Sequence, residues 1–380
     1  MKKLIVLFSA VAALAACSKN EVVPAVSGEN VEISYKVAPR TKADADPKAF
    51  NTDNVFASWA YYLPSEKSWS ENQAEAKIYI GKDGEEGATI SYVNNVWKDK
   101  YNSYYWPKEG KLTFFAYSLN SSSLTDKSGT DTHFTCLNSE FQYGIHGSLN
   151  LDTHPNTDFL VADIASDKTA NESKYNFNGV PTLFKHKLSR VKFAVKKKAD
   201  YANTIITLNS ITFKNLVYGM TYTQFMNDAA KGIITDYIFP GTDRSNQEYT
   251  KTDFEVASTE FVSIPDANEV RYIYIPQEFK DETDTNKIAT IEVKYTVTFK
   301  DGISETYIKT LNVKDIFEDW KVGKRYTFNL TFSLDEIKWA PAVGDWEDEI
   351  KNIDVVTGEV KPADGSISAA DDDTTTDEQC

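Results

Sequence analysis

The histidines and cysteines that could form a zinc site are few in this chain. The four histidines are His133, His146, His154 and His186, and the nearest approach to a ligand pair is His133 with Cys136. A structural zinc site uses four ligands, usually in closely spaced pairs, and the sequence offers no second pair here. The histidines are therefore interpreted as surface loop residues. We expect no metal and no other cofactor.

Patterns for covalent or acid–base catalysis are equally scarce. The sequence has no Gly-x-Ser-x-Gly elbow and no local signature that combines a reactive Cys with a His. Dispersed Asp and Glu residues could form a glycosidase pair, but any acidic chain offers such pairs. The run from Asp371 to Asp373 lacks the spaced ligands and the glycine of a calcium loop. We expect that the protein is not an enzyme.

One cysteine has a context that indicates covalent modification. A basic start, Met1-Lys2-Lys3, precedes a short apolar run that ends in Leu14-Ala15-Ala16-Cys17. This pattern predicts a secretory signal peptide over residues 1–16, because the run is too short to span a membrane. The four residues resemble the lipobox of bacterial lipoproteins, in which several acyl chains, palmitate among them, anchor the Cys stably. The alternative is an ordinary secreted protein with an incidental Cys.

The remaining composition excludes some functions and favours others. A formal net charge of −15 and a pI near 4.9 argue against binding to nucleic acid, which needs a basic face. Beyond Cys17 only Cys136 and Cys380 remain, too few for a disulfide framework. With 13% aromatic and 41% apolar residues, the chain can build packed cores instead.

The organisation along the chain indicates strands rather than helices. After a tether over residues 17–30, Val31 to Val37 alternates with the period of a half-buried strand. A polar, proline-flanked stretch over residues 38–47 is expected to be an exposed loop. Further β-prone runs follow at residues 55–62, 76–80, 112–117, 158–162, 191–196, 205–208, 211–213, 270–275, 291–299, 306–311 and 326–330.

Many short strands separated by turns predict an all-β protein built of β-sandwiches. Gly179-Val180-Pro181 precedes a fresh run of strands, so we place a domain boundary there. The expected divisions are an N-terminal sandwich over residues 31–180, a C-terminal sandwich over residues 181–350 and an acidic tail over residues 351–380.

Several motifs, taken in order, resemble the fimbrillin family of bacterial surface lipoproteins. They are Trp97, Tyr104-Tyr105-Trp106-Pro107, Leu112-Thr113-Phe114-Phe115-Ala116-Tyr117, Asp158-Phe159-Leu160-Val161-Ala162, Phe184-Lys185-His186-Lys187-Leu188-Ser189, Ile275-Pro276-Gln277 and Trp320-Lys321-Val322-Gly323-Lys324-Arg325-Tyr326. Each motif alone is weak, whereas the ordered set is specific. It extends from the lipobox to Trp346.

The resemblance implies two transthyretin-like β-sandwich domains in tandem, in a precursor that is lipidated at Cys17 and carried to the outer membrane. It also implies that proteolysis between an arginine and the next residue, here Arg40 and Thr41, removes the first strand. The inward face of that displaced strand would comprise Val31, Ile33, Tyr35 and Val37. Arg190 and Arg325 lie in strand-like contexts and are expected to be protected.

The implied function is that of a structural subunit of a surface fimbria, whose partners are other fimbrial subunits joined by strand exchange. The donor strand is not identified by the sequence, although the start of the tail, within residues 347–360, has spaced apolar positions that could serve. The alternative is a monomeric surface lipoprotein that binds glycan or host protein, because the same fold and anchor would suffice.

Overall fold

The computed structural model describes residues 31–38, 50–124, 133–139, 142–170, 179–224, 233–236, 244–265, 269–334, 337–345, 351–354 and 359–362. The helical residues among them are α1 (Trp69–Asn72) and the 3-10 turns Gln73–Glu75 and Val313–Asp315. The strands of this part of the chain are β1 (Tyr35–Ala38), β2 (Phe56–Leu63), β3 (Lys77–Ile80), β4 (Ala88–Val93), β5 (Val96–Asp99), β6 (Lys111–Ser118), β7 (His133–Ser139), β8 (Gln142–Asn150), β9 (Leu160–Ala162), β10 (Ala165–Lys168), β11 (Val180–His186), β12 (Ser189–Lys197), β13 (Thr204–Val217), β14 (Gly219–Thr223), β15 (Ile233–Asp236), β16 (Arg244–Thr250), β17 (Phe254–Glu255), β18 (Val262–Ser263), β19 (Ile273–Tyr274), β20 (Gln277–Glu278), β21 (Thr290–Phe299), β22 (Ser304–Asn312), β23 (Asp319–Trp320), β24 (Lys324–Phe332), β25 (Ile337–Asp345), β26 (Lys351–Asp354) and β27 (Glu359–Pro362).

The all-β prediction is confirmed, but the transthyretin-like β-sandwich expected in the first half is not. Its largest sheet closes on itself in the order β6, β9, β11, β1, β5, β4, β2 and back to β6. This closed ring of strands is hereafter called the ring. Strands β3 and β10 attach to β2 and β6 beside it. Closure removes free edges, since every strand of the ring has two neighbours. Tandem transthyretin-like domains are therefore not established.

Strands β2 and β6 are buried on both faces, which explains why their sequences are continuously apolar instead of alternating. Phe114 and Ala116 point into the core enclosed by the ring, together with Phe56. Phe115 and Tyr117 point to the opposite side, where they meet β7, β8 and β14 of a four-stranded sheet. One pair of strands thus contributes to two cores.

The second half is a sandwich of two five-stranded sheets. One sheet has the order β18, β12, β24, β25, with β19 also paired to β12. The other has the order β16, β13, β21, β22, with β17 also paired to β13. Their facing residues alternate with outward ones, as in β21, where Ile291, Val293, Tyr295 and Val297 are buried. This alternation is the pattern expected of a sheet with one buried face.

The predicted boundary at Gly179-Val180-Pro181 coincides with the start of β11. β11 pairs with β9 and β1 in the ring, and the next sheet begins with β12 at Ser189. The glycine and proline mark a close approach within the ring, described below, rather than the chain's exit from it. In addition, β14 from the second half pairs along its full length with β8. The domain limits remain a prediction.

The C-terminal region contributes an edge strand and a separate hairpin. β25 pairs with β24 at the edge of its sheet, while β26 and β27 pair with each other. The predicted tail from residue 363 onward, like the signal peptide and the tether, falls outside the described residues. No helix in the described part of the chain has the length and apolar character to cross a membrane.

Candidate functional site

The segment formed by residues 31–38 closes the ring. Its strand β1 runs parallel to β11 through four residue pairs and meets β5 through one antiparallel pair, Tyr35 with Trp97. β1 is therefore the connection between β11 and β5. If it were absent, both neighbours would present unpaired backbone groups to a new strand.

Backbone hydrogen bonds extend this attachment to the residues before β1. The amide of Ile33 donates to the Tyr104 carbonyl over 2.7 Å, and the amide of Trp106 donates to the Val31 carbonyl over 3.0 Å. On the other side, the Val180 amide donates to the Ser34 carbonyl over 2.7 Å. The aromatic motif Tyr104-Tyr105-Trp106 thus supplies backbone partners for the segment.

Two side chains of the segment are fully inserted in the ring core. Ile33 is 3% exposed and Tyr35 is 4% exposed. The Tyr35 ring meets Phe56 and Phe114 edge to face, with centroids 5.3 and 5.9 Å apart. Burial also raises the pKa of Tyr35, so its phenol stays neutral at physiological pH.

The predicted inward face is shorter than the sequence indicated. Val37 is half-buried and packs on the ring core, but Val31 is 52% exposed. The Val31 backbone still bonds to Trp106, but its side chain lies beyond the core, so the alternating pattern continues past the point where the core ends. Ile33, Tyr35 and Val37 form the face that the ring accommodates.

Glu32 attaches the solvent-facing side of the segment to Lys98 and Ser103. Its carboxylate lies 3.1 Å from Lys98 Nζ and accepts a hydrogen bond of 2.9 Å from Ser103 Oγ. Partial burial raises the pKa of Glu32, but the Ser103 hydrogen bond and Lys98 outweigh it, so the pKa lies below the ordinary value of 4.5. The segment is thus fixed by charge as well as by burial.

Gly179 allows β11 to approach the segment closely. It has φ of +118°, and a Cβ at this position would lie 2.8 Å from the Tyr35 carbonyl carbon. A side chain there is excluded by space and by conformation. Pro181, two residues further on, is compatible with a strand. The Val180 amide faces β1, so the backbone nitrogen of Pro181 faces away from β1 and no hydrogen bond to it is lost. The glycine was a signal for this contact, but the sequence alone did not reveal its partner.

The predicted processing site, Arg40 and Thr41, lies in residues 39–49, which are outside the described residues. The predicted anchor Cys17 is also outside the described residues. On the far side of that stretch Phe50 returns to the ring core. Its ring stacks on Phe184 with centroids 4.9 Å apart and lies 5.3 Å from that of Trp97. Val37 and Phe50, the described residues before and after this stretch, therefore contact the same core.

The chain's other arginines differ in exposure. Arg190 and Arg271 are 8% and 7% exposed, and Arg325 is half-buried in β24, where it pairs with Arg190 of β12. Arg244 lies in β16. An arginine-specific protease should find these strand or buried positions difficult, because cleavage requires a locally extended and accessible chain.

Three of the four histidines do not lie in loops as expected, whereas His154 lies in a turn after β8. His133, His146 and His186 lie in strands β7, β8 and β11. His146 Nδ1 is 2.8 Å from Thr223 Oγ1, and His186 Nδ1 is 2.7 Å from an Asp158 carboxylate oxygen. Among the described residues, no three His, Cys, Asp or Glu side chains are grouped as metal ligands would be.

Comparisons with known proteins agree with this fold. The model of the fimbrillin-like family matches residues 41–346. A fimbrial protein from Bacteroides vulgatus shares the fold with a TM-score of 0.61 at 18% identity, over 83% of this chain and 100% of that one. A fimbrial assembly protein from Parabacteroides distasonis aligns with a TM-score of 0.33 at 10% identity, over 87% and 97% of the two chains. A search of curated proteins gave no match. Because the family model covers most of the sequence, the chain belongs to the fimbrillin-like family.

Proposed function

We propose that this protein is a structural, non-catalytic subunit of a cell-surface fimbria, assembled by proteolysis-triggered strand exchange. Cleavage between Arg40 and Thr41 would free residues 31–38 from the rest of the chain. A strand from another subunit would then take their place between β5 and β11. The proposal includes a tandem of two transthyretin-like domains, with the ring as the acceptor.

The observation that carries the proposal is the position of β1 in the ring. The segment of residues 31–38 that contains β1 contributes two fully buried side chains, Ile33 and Tyr35, and residues 39–49 join it to the strands that follow. Burying an aliphatic side chain contributes roughly 1.5–3 kcal/mol. Its loss would leave an apolar groove and two unpaired strand edges, which together favour uptake of another strand.

The donor strand in this proposal comes from the start of the tail, near β26. Those residues form a hairpin with β27 that lies beside β25 but does not pair with it as a strand. A hairpin of two short strands is marginally stable by itself. Its strands could therefore separate at small cost and enter the ring of a neighbouring subunit.

The processing step is tested with an arginine-specific protease applied to the full chain and to Arg40→Ala. The parent should yield a product beginning at Thr41 and then form filaments visible by electron microscopy. The Arg40→Ala variant should do neither, whereas the neighbouring control Lys42→Ala should behave as the parent. If Arg40→Ala polymerises like the parent, the mechanism is wrong and a monomeric surface-binding protein becomes the better proposal.

The proposed location is the outer membrane, reached through acylation of Cys17. Changing Cys17 to Ala should release the protein from the membrane fraction, because the acyl chains supply the attachment. Retention of the variant after a high-salt wash would refute the anchor without affecting the strand-exchange proposal.

A further inference from the structure

The sandwich of the second half has a long edge strand, β22, that is open to solvent. β22 spans nine residues and ends the order β16, β13, β21, β22, so no described strand pairs with its outer edge. Six of its residues are exposed, among them Ile308 at 58%. An open edge of this length is a template for pairing with another strand.

The backbone groups available on this edge follow from the hairpin that joins β21 to β22. The Phe299 amide donates to the Ile303 carbonyl over 2.8 Å, and the register of the two strands continues without a shift to Thr290 and Asn312. Hydrogen-bonded and non-bonded pairs alternate along an antiparallel ladder. Odd-numbered residues of β22 therefore bond to β21, and Ser304, Thr306, Ile308 and Thr310 direct their amides and carbonyls outward.

The side chains of β22 are arranged symmetrically about one residue. Tyr307 stacks on Tyr295 of β21 with centroids 5.2 Å apart and an interplanar angle of 21°. Glu305 precedes Tyr307 by two residues and Lys309 follows it by two, so all three share one face. An antiparallel copy centred on Tyr307 would place each Glu305 opposite the other copy's Lys309.

The outward backbone groups fit the same register. With Tyr307 opposite its own copy, Thr306 faces Ile308 and Ser304 faces Thr310, and these are the residues whose hydrogen-bonding groups point outward. Moving the centre by one residue to Ile308 would put Glu305 opposite Leu311 and lose the charge match. Backbone geometry permits a centre at either residue, and the charge pattern selects the one at Tyr307.

We propose that β22 is a homotypic interface through which a second copy of this chain pairs antiparallel about Tyr307. Lys309 keeps the edge from pairing with unrelated strands, because only a partner with a carboxylate at the matching position neutralises it. The contact is far smaller than a stable interface and should be weak between free subunits. Repeated along two fibres, it would become strong through multivalency and join the fibres side by side.

The test uses reversed charges in the uncleaved full chain, measured by sedimentation over a range of concentrations. Glu305→Lys or Lys309→Glu alone would place like charges opposite each other twice in the pair. Each should weaken self-association at least about tenfold. An equal mixture of the two variants restores both opposite-charge contacts and should associate like the parent.

Glu260→Lys is the matched control, because it makes the same charge change at an exposed position outside β22. It should associate like the parent. A parent that is monomeric at every concentration, single variants that associate as well as the parent, or a mixture that fails to recover would each overturn the proposal. None of these outcomes depends on Arg40, since β22 lies outside the ring and the chain is not cleaved.

Discussion

The apolar residues of the first segment, although regularly spaced in sequence, have very different surroundings. Tyr35 is almost fully buried among aromatic rings, whereas Val31 is more than half exposed. Tyr35→Ala should destabilise the attachment of the segment by about 3 kcal/mol, which is typical for truncation of a buried aromatic. Val31→Ala should change it by less than about 0.5 kcal/mol.

Hydrogen exchange at the Ile33 and Val180 amides measures this attachment, because both amides bond within or to the segment. Faster exchange is expected for Tyr35→Ala only. Equal acceleration in both variants would contradict the burial assigned to the segment.

The charge contact of Glu32 makes the attachment depend on pH. Its pKa is lowered in the folded state, so the stabilisation is present above the unfolded pKa near 4.5 and is lost as the pH falls through the folded pKa. After cleavage at Arg40, the released segment should remain bound at pH 7 and dissociate more readily as the solution is acidified below about pH 4.5.

Size-exclusion chromatography of freshly cleaved protein at several pH values tests this dependence. Glu32→Gln should bind the segment more weakly at pH 7 and should show a flatter pH profile. Glu66→Gln, at an exposed position, serves as the control and should match the parent. A profile unchanged by Glu32→Gln would show that other groups control release.

The sequence predicts which side chains share a face of a strand, but not where the core beneath that face ends. Alternation located Ile33 and Tyr35 on one face, because the period of a strand depends only on local geometry. It could not show that Val31 lies beyond the core, since the end of a core is set by contacts with residues such as Tyr104 and Trp106. Histidine positions in strands were missed for the same reason.

At the scale of elements, one glycine tests the close approach of two strands. Gly179→Ala would place a Cβ 2.8 Å from the Tyr35 backbone at a positive φ, and we expect a loss of more than about 1 kcal/mol in the free energy of unfolding. Gly302→Ala is the matched control, because Gly302 also has a positive φ but has no atom within 4 Å of the added Cβ.

Denaturation of both variants, with and without residues 31–40, separates the backbone strain of alanine at a positive φ from its steric contact with Tyr35. Gly179→Ala should cost more than Gly302→Ala in the intact chain, and the difference should shrink once the segment is removed. A difference that persists after removal would mean that Gly179 does not serve to admit β1.

Local patterns located most strands but not their connections. The runs at residues 205–208 and 211–213 are one strand in the structure, β13, because a register shift between Leu208 and Ser210 absorbs the polar break. The closed ring was not predicted. It depends on pairing between β1 and β11, which lie far apart in sequence, and such pairing leaves no periodic signal.

At the scale of the whole molecule, Asn156 connects the two halves. Its side-chain oxygen accepts a hydrogen bond of 2.7 Å from the Tyr272 amide, and its nitrogen donates to the Val270 carbonyl over 2.8 Å. Asn156→Ala should lower the free energy of unfolding by about 1–3 kcal/mol, because backbone groups lose their partners. Asn203→Ala has the same φ of 64° without such bonds and should cost less.

Denaturation followed separately by near-ultraviolet and far-ultraviolet circular dichroism is the suitable measurement. The parent should unfold in one transition, since β14 and Asn156 tie the second half to the first. Asn156→Ala should lower the midpoint more than Asn203→Ala does. Equal shifts in the two variants would contradict a connecting role.

The central claim, that the chain must release residues 31–38 before it can polymerise, is tested most directly by a reversible lock. Lys36 of β1 and Pro181 of β11 are register partners, and both are exposed. The double variant Lys36→Cys with Pro181→Cys should form a disulfide across the two strands, since paired strands hold their Cα atoms within disulfide range. Cys380→Ser in the same chain removes a competing thiol.

After cleavage at Arg40, the oxidised double variant should keep the segment and remain monomeric, and reductant should start filament formation. Each single cysteine variant should polymerise without reductant. If the cleaved and oxidised double variant forms filaments as readily as the reduced one, release of β1 is not required for assembly.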